Sequence, residues 1–159
     1  MNDIAALLLR VAAGLIFLPH GWSKIAGEGG SAAFAAGLAA DYGIPTFLGH
    51  LAAYSEVVCG VLLIAGLLTR IDAFLLAATM FVATFIVQLP DALFEVPPDA
   101  IKTFVAIRGI EMPLALFAIS SALMFLGPGR VSLDHLLGIE QRLGALFSKK
   151  KAAAEAAVS

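Results

Sequence analysis

The chain has 159 residues, 60% of them hydrophobic and only 14% charged, where soluble domains run about 45–50% apolar and about 25% charged. The composition is that of a membrane protein, and a net charge of −2 with no basic arm gives no ground for a nucleic-acid partner. Its single cysteine, Cys59, excludes an intrachain disulfide, a CxxC redox pair and an iron–sulfur site built by this chain alone.

A bilayer helix needs roughly 20 predominantly apolar residues, and four stretches qualify, near 4–22, 48–68, 71–89 and 104–126. They predict an all-α fold, a polytopic bundle of four transmembrane helices over residues 1–130 with no room for a second domain. The first stretch lacks a basic leader and is interrupted by Arg10, so it reads as a retained helix and not a signal peptide. At 100° per residue, Arg10, Gly14, Phe17, His20, Gly21 and Lys24 share one third of it. That stripe is expected to face the bundle, with Leu8, Val11, Leu15, Leu18 and Trp22 toward lipid.

A long outer connection follows, in which Ser31 is placed to cap a short alanine-rich helix through Ala40, and Gly43-Ile44-Pro45 stops it. In the second stretch Gly49, Ala52, Glu56, Gly60, Leu63 and Leu67 share a face, and Cys59 reads as a small packing residue. Thr69-Arg70 makes a very short turn into the third stretch. Pro90, Pro97 and Pro98 then predict a rigid polar outer loop. In the fourth stretch Glu111, Ala115, Ala118 and Ala122 form a small-residue face, with Arg108 one turn earlier and Pro113 freeing the Gly109 carbonyl. Gly127-Pro128-Gly129 ends it.

Residues 131–159 alternate leucines with charge from Ser132 onward and close on Lys149-Lys150-Lys151. This predicts a C-terminal interfacial amphipathic helix and a basic, frayed tail held to anionic lipid. With both termini on one side, that side receives Arg70, Arg130, Arg142 and the three lysines, while the opposite loops hold Lys24 and Lys102 among five acids. The positive-inside rule therefore puts both termini in the cytoplasm.

The functional reading rests on ionisable residues at membrane depth. A charge at a helix centre costs at least ~2.5–3.5 kcal/mol, so each needs a partner or a purpose. By helical rise, Glu56 and Glu111 lie within about 6 Å of the membrane centre, Arg10 about 5 Å to the inner side, and His20 and Arg108 about 10 Å to the outer side. The expected arrangement is one buried, nearly charge-balanced cluster: Arg10 with Glu56 or Glu111, and Arg108 with the remaining acid. Glu56 and Glu111 are the candidate catalytic, proton-exchanging groups, and Arg10, His20 and Arg108 the candidate substrate-binding groups. The alternative is that these pairs only fix helix register. His20 and His50 lie at the outer ends of neighbouring helices, but two lone histidines are a weak signal for haem. No zinc spacing, phosphate-binding glycine loop or Ser/His/Asp set occurs, so no metal is predicted.

At these residues the chain resembles the DoxX family of small bacterial and archaeal membrane proteins. The matching pieces are Leu9-Arg10 through His20-Gly21 and Lys24, Glu56-x-x-x-Gly60 leading to Gly66-Leu67-Leu68-Thr69-Arg70, then Glu111 and Gly127-Pro128-Gly129-Arg130 with Ser132-Leu133-Asp134. The resemblance implies a four-helix inner-membrane protein. Members are linked to thiosulfate:quinone oxidoreductases, to membrane complexes handling thiol or oxidative stress, and to quinone resistance.

The leading expectation is a membrane subunit of an oxidoreductase system that binds a quinone between helices. With no redox motif of its own, the chain would take electrons from a soluble redox partner protein or a bound cofactor. The alternatives are a small proton-linked transporter, for which four helices would call for a homo-oligomer, and a non-catalytic membrane anchor for soluble redox enzymes.

Overall fold

Among the residues described by the computed structural model, 2–95 and 100–139, every regular element is helical. Four helices are long and apolar enough to cross a bilayer: Asp3–Ala26, Thr46–Ala65, Thr69–Phe94 and Ile107–Leu126. They make up α1 (Asn2–Ala26), α3 (Thr46–Ala65), α4 (Thr69–Phe81) with its continuation, and α5 (Ala100–Leu126). A shorter α2 (Gly30–Tyr42) joins α1 to α3, and a single turn, α6 (Leu133–Leu136), follows α5. Both ends of the described chain lie at one pole of the bundle, where Asp3 Oδ1 accepts from the Arg130 N–H at 2.9 Å. We call this the terminal pole; α2 sits at the opposite one.

The α1–α3 seam is built on glycine. A Cβ at Gly14 would sit 2.6 Å from the Gly60 carbonyl oxygen, and one at Gly21 would sit 2.8 Å from the Glu56 Cβ. Only the missing side chains let these backbones approach so closely. Ala13, Phe17, Leu63, Ala73, Leu76, Leu116 and Leu123 fill the core between the four spans. Leu8, Leu15 and Trp22 point outward, as their positions on the α1 wheel predict, in a belt of large apolar side chains that suits lipid.

Several local expectations are corrected. Ser31 does not cap α2: Gly29 is the capping residue, and the Ser31 hydroxyl lies 3.2 Å from His50 Nδ1 and 3.4 Å from the Tyr54 hydroxyl. α2 does stop where Gly43-Ile44-Pro45 predicts, with the Gly43 and Ile44 N–H groups bonded back to Ala39 and Leu38. The third span does not end near 89. It winds on as π-helix over Val82–Gln88 and Asp91–Glu95. Pro90 has no N–H to give an α-type bond, and the chain around it adopts the wider i→i+5 winding.

α5 is rotated from the expected orientation. It buries Leu116, Ser120 and Leu123, while Glu111, Ala115 and Ala118 face outward. Packing volume outweighs the small-residue stripe here: the leucines fill the core and the alanines leave it. α6 is capped by Ser132, whose Oγ accepts from the His135 N–H at 3.1 Å. Residues 140–159, which hold the second half of the predicted amphipathic helix and the whole basic tail, lie outside the described residues, as do Pro97 and Pro98.

Candidate functional site

Buried polar groups gather in two places. The first is the terminal pole, where α1, the α3–α4 turn and the segment after α5 meet. α3 ends at Gly66 in the left-handed region (φ 71), and Leu68 follows at φ 54, a conformation that costs an L residue about 1–2 kcal/mol. Asp134 holds that turn. Its carboxylate accepts from the Leu68 N–H at 2.7 Å and the Thr69 N–H at 2.9 Å, and its own N–H donates to the Gly66 carbonyl at 2.9 Å. Two otherwise orphaned donors at the start of α4 are thereby satisfied by an anion at a positive helix end.

Arg10, 1% exposed, lies beneath this turn. Its guanidinium donates to the Val131 carbonyl and feels the charge of Asp134. A Cβ on Gly66 would fall inside the guanidinium, so glycine is needed there twice over: for its φ and for the space. Deeper along α4, Asp72 is buried, as is Cys59 on the neighbouring α3. The two distant sequence pieces 66–70 and 127–134 are therefore halves of one polar lock around Arg10.

The second place is a cavity of about 480 Å³ between α2, α3 and the α4–π span. Its size falls within the usual range for small-molecule sites. Phe34, Leu38 and Ile44 close it on one side, Leu48, Leu51 and Ala52 on another, and Leu75, Val82, Ala83, Ile86 and Val87 on the third. Polar groups are few: Lys24, Ser55, Glu56, Thr79 and Gln88. The π-wound segment supplies Val82, Ala83, Ile86, Val87 and Gln88 to this wall, and π turns recur at many functional sites.

Glu56 is 1% exposed, and its Oε1 is paired with Lys24 Nζ. Lys24 leaves the far end of α1 and reaches back along the bundle, its ammonium 5.1 Å from the centre of the Phe34 ring. Gly21, pressed against Glu56 and Val57, lets α1 come near enough for this. Glu56 Oε2 and Gln88 Oε1 are both buried without a hydrogen-bond partner among the described residues. At the rim, the Tyr42 hydroxyl donates to Asp91 Oδ2 at 2.6 Å and ties the end of α2 to the second π segment.

The structure therefore splits the expected cluster. Of the candidate site residues, Glu56 alone lines the cavity. Arg10 is buried but belongs to the terminal lock, so neither proposed arginine partner holds Glu56. His20 is exposed on α1 and does not line the cavity. Arg108 and Glu111 lie on the outward face of α5, away from the cavity. Charge balance came from a lysine one helix end away: a long flexible chain crosses a distance that rise per residue does not reveal.

The signal for Lys24 was its place on the glycine stripe of α1 with Gly21, although the sequence named only arginines as partners of Glu56. Asp134 was legible as part of the Ser132-Leu133-Asp134 piece. Gln88 was not, because the π winding shifts its phase on the helix. Among the described residues, no group of three or more His, Cys, Asp or Glu is placed to hold a metal ion.

Comparison with known proteins agrees with this architecture. The DoxX family pattern matches residues 5–89. CatD of Bacillus subtilis (strain 168), named as a candidate oxidoreductase, is 40% identical over 87 residues, 55% of this chain. The chain spans 62% of that relative's length. The inner membrane protein YqjF of Escherichia coli (strain K12) is 24% identical over 139 residues, 86% of this chain and 95% of that one. No solved structure matches.

Proposed function

Because the chain belongs to the DoxX family, we propose that it is the membrane subunit of an oxidoreductase system and binds a quinone-type, lipid-soluble molecule in the cavity beside Glu56. The observation that carries this reading is the Glu56–Lys24 pair, set in an otherwise apolar cavity with one carboxylate oxygen unpartnered. Apolar walls suit a ring and tail drawn from the bilayer. Glu56 exchanges a proton with the bound molecule, and Lys24 takes the orienting part expected of an arginine. Glu111, Arg108 and His20 have no part inside the cavity, and Arg10 supports the fold at the other pole.

Electrons come from a soluble redox partner protein or a bound cofactor. The name of the relative CatD supports an oxidoreductase system. The name of YqjF and the distribution of lysine and arginine support an inner-membrane location with both termini in the cytoplasm.

The test is Glu56→Gln, which keeps the shape and an acceptor oxygen but carries no exchangeable carboxyl proton. The variant is expected to accumulate in membranes like the wild type and to lose protection in a quinone-stress assay normalised to membrane abundance. Wild-type protection by Glu56→Gln would remove the acid from the chemistry. Mass spectrometry of protein purified from native membranes in mild detergent should also find a retained quinone-type lipid; neither a retained lipid nor a co-purifying redox protein would count against the reading as a whole.

A further inference from the structure

The cavity offers more than room. Two of its polar groups, Glu56 Oε2 and Gln88 Oε1, are buried acceptors with no donor among the described residues. Both belong to side chains on the wall of the same cavity, whose lining is otherwise mostly apolar. A buried acceptor without a donor is costly, because it has lost water and gained nothing. What completes the site is therefore a ligand that donates.

Charge narrows the class. An ammonium ligand would enter an apolar cavity beside Lys24, whose own cation already neutralises Glu56, and would pay for desolvation with no counter-charge left to meet it. A carboxylic acid would set an anion against Glu56. Neutral hydroxyl groups have neither difficulty. A ring carrying two of them can meet one acceptor with each and lay its apolar faces on Leu48, Leu75 and Ile86.

We infer that this cavity selects the dihydroxy form of its ligand, a lipid-soluble hydroquinone, over the corresponding quinone. A quinone presents only acceptors: it can take a bond from Lys24, but it leaves Glu56 Oε2 and Gln88 Oε1 unmet. The inference rests on the reading of this cavity as the binding site and adds the redox form that the site prefers.

The experiment compares three compounds built on one ring and tail on the purified full-length protein in mild detergent under argon. They are a short-tailed hydroquinone, its quinone, and its dimethyl ether, which keeps the ring and both oxygens but has no donor. The hydroquinone is expected to bind roughly tenfold or more tighter than either of the others. Gln88→Leu should bring the hydroquinone to within about threefold of its dimethyl ether, as one of the two acceptors is gone. If Gln88→Leu unfolds, the three-way comparison on the wild type decides alone. Equal binding of all three, or tighter binding of the quinone, overturns the inference while leaving the cavity a binding site. Binding of none of them overturns the cavity reading itself, and this inference with it.

Discussion

Replacing Asp134 with alanine strikes the point where three parts of the chain are tied together. Its carboxylate is nearly inaccessible, accepts from two backbone N–H groups, and opposes the buried Arg10. Alanine leaves two unpartnered donors at the start of α4, the part-buried Leu68 N–H and the buried Thr69 N–H, the buried one worth about 1–3 kcal/mol when orphaned, and takes away the charge facing the arginine. These losses overlap, so the expected destabilisation is about 3–5 kcal/mol, the usual cost of breaking a buried charged contact from one side. For a chain of this size that corresponds to a fall in unfolding temperature on the order of 10 °C.

Asp134→Asn keeps one acceptor oxygen and should lose roughly half as much. Thermal unfolding in a fixed detergent measures both. A cycle with Arg10→Met isolates the charge term: the double variant should be less damaged than the sum of the singles by about 1 kcal/mol or more. Unfolding of Asp134→Ala within about 0.5 kcal/mol of wild type, or strict additivity in the cycle, would refute the lock.

Gly66→Ala should be at least as severe as Asp134→Asn, because its Cβ collides with Arg10 and its φ of 71 disfavours any side chain; a near-normal unfolding temperature would show that Arg10 moves freely. Gly14→Leu should disrupt the bundle more than Gly60→Leu, since a Cβ at 14 meets backbone at 2.6 Å while one at 60 finds its nearest neighbours at 3.4 Å. Leu15→Phe, on the lipid-facing side, should pass nearly unnoticed in the same detergent-stability assay. Glu111→Gln should leave both unfolding temperature and quinone-stress protection close to wild type, because the acid faces outward from α5; a loss of protection would give Glu111 a part that the cavity does not assign it.

Four spans, their order and the short α3–α4 turn were legible in residues 1–130 because hydropathy and length are local properties that a bilayer reads directly. The glycine seam of α1 and α3 was legible for a similar reason: Gly14, Gly21 and Gly60 recur at helical spacing, and small residues have one strong use between membrane helices. Which charges meet was not. Arg10 and Glu56 sit at depths that suggest a pair, yet Lys24 reaches Glu56 from a helix end and Arg10 turns to the far segment 131–134.

The rotation of α5, with Glu111 outward, was hidden because Ala115 and Ala118 fit either a helix contact or a lipid face. Only the volume available beside Leu76 and Phe17 settles it, by admitting Leu116 and Leu123. Gln88 enters the cavity through π winding, which carries no periodic signature. A sequence dictates which segments are apolar and where the chain must bend. Partner choice among buried charges depends on side-chain reach and helix rotation, and those exist only once all four spans are packed.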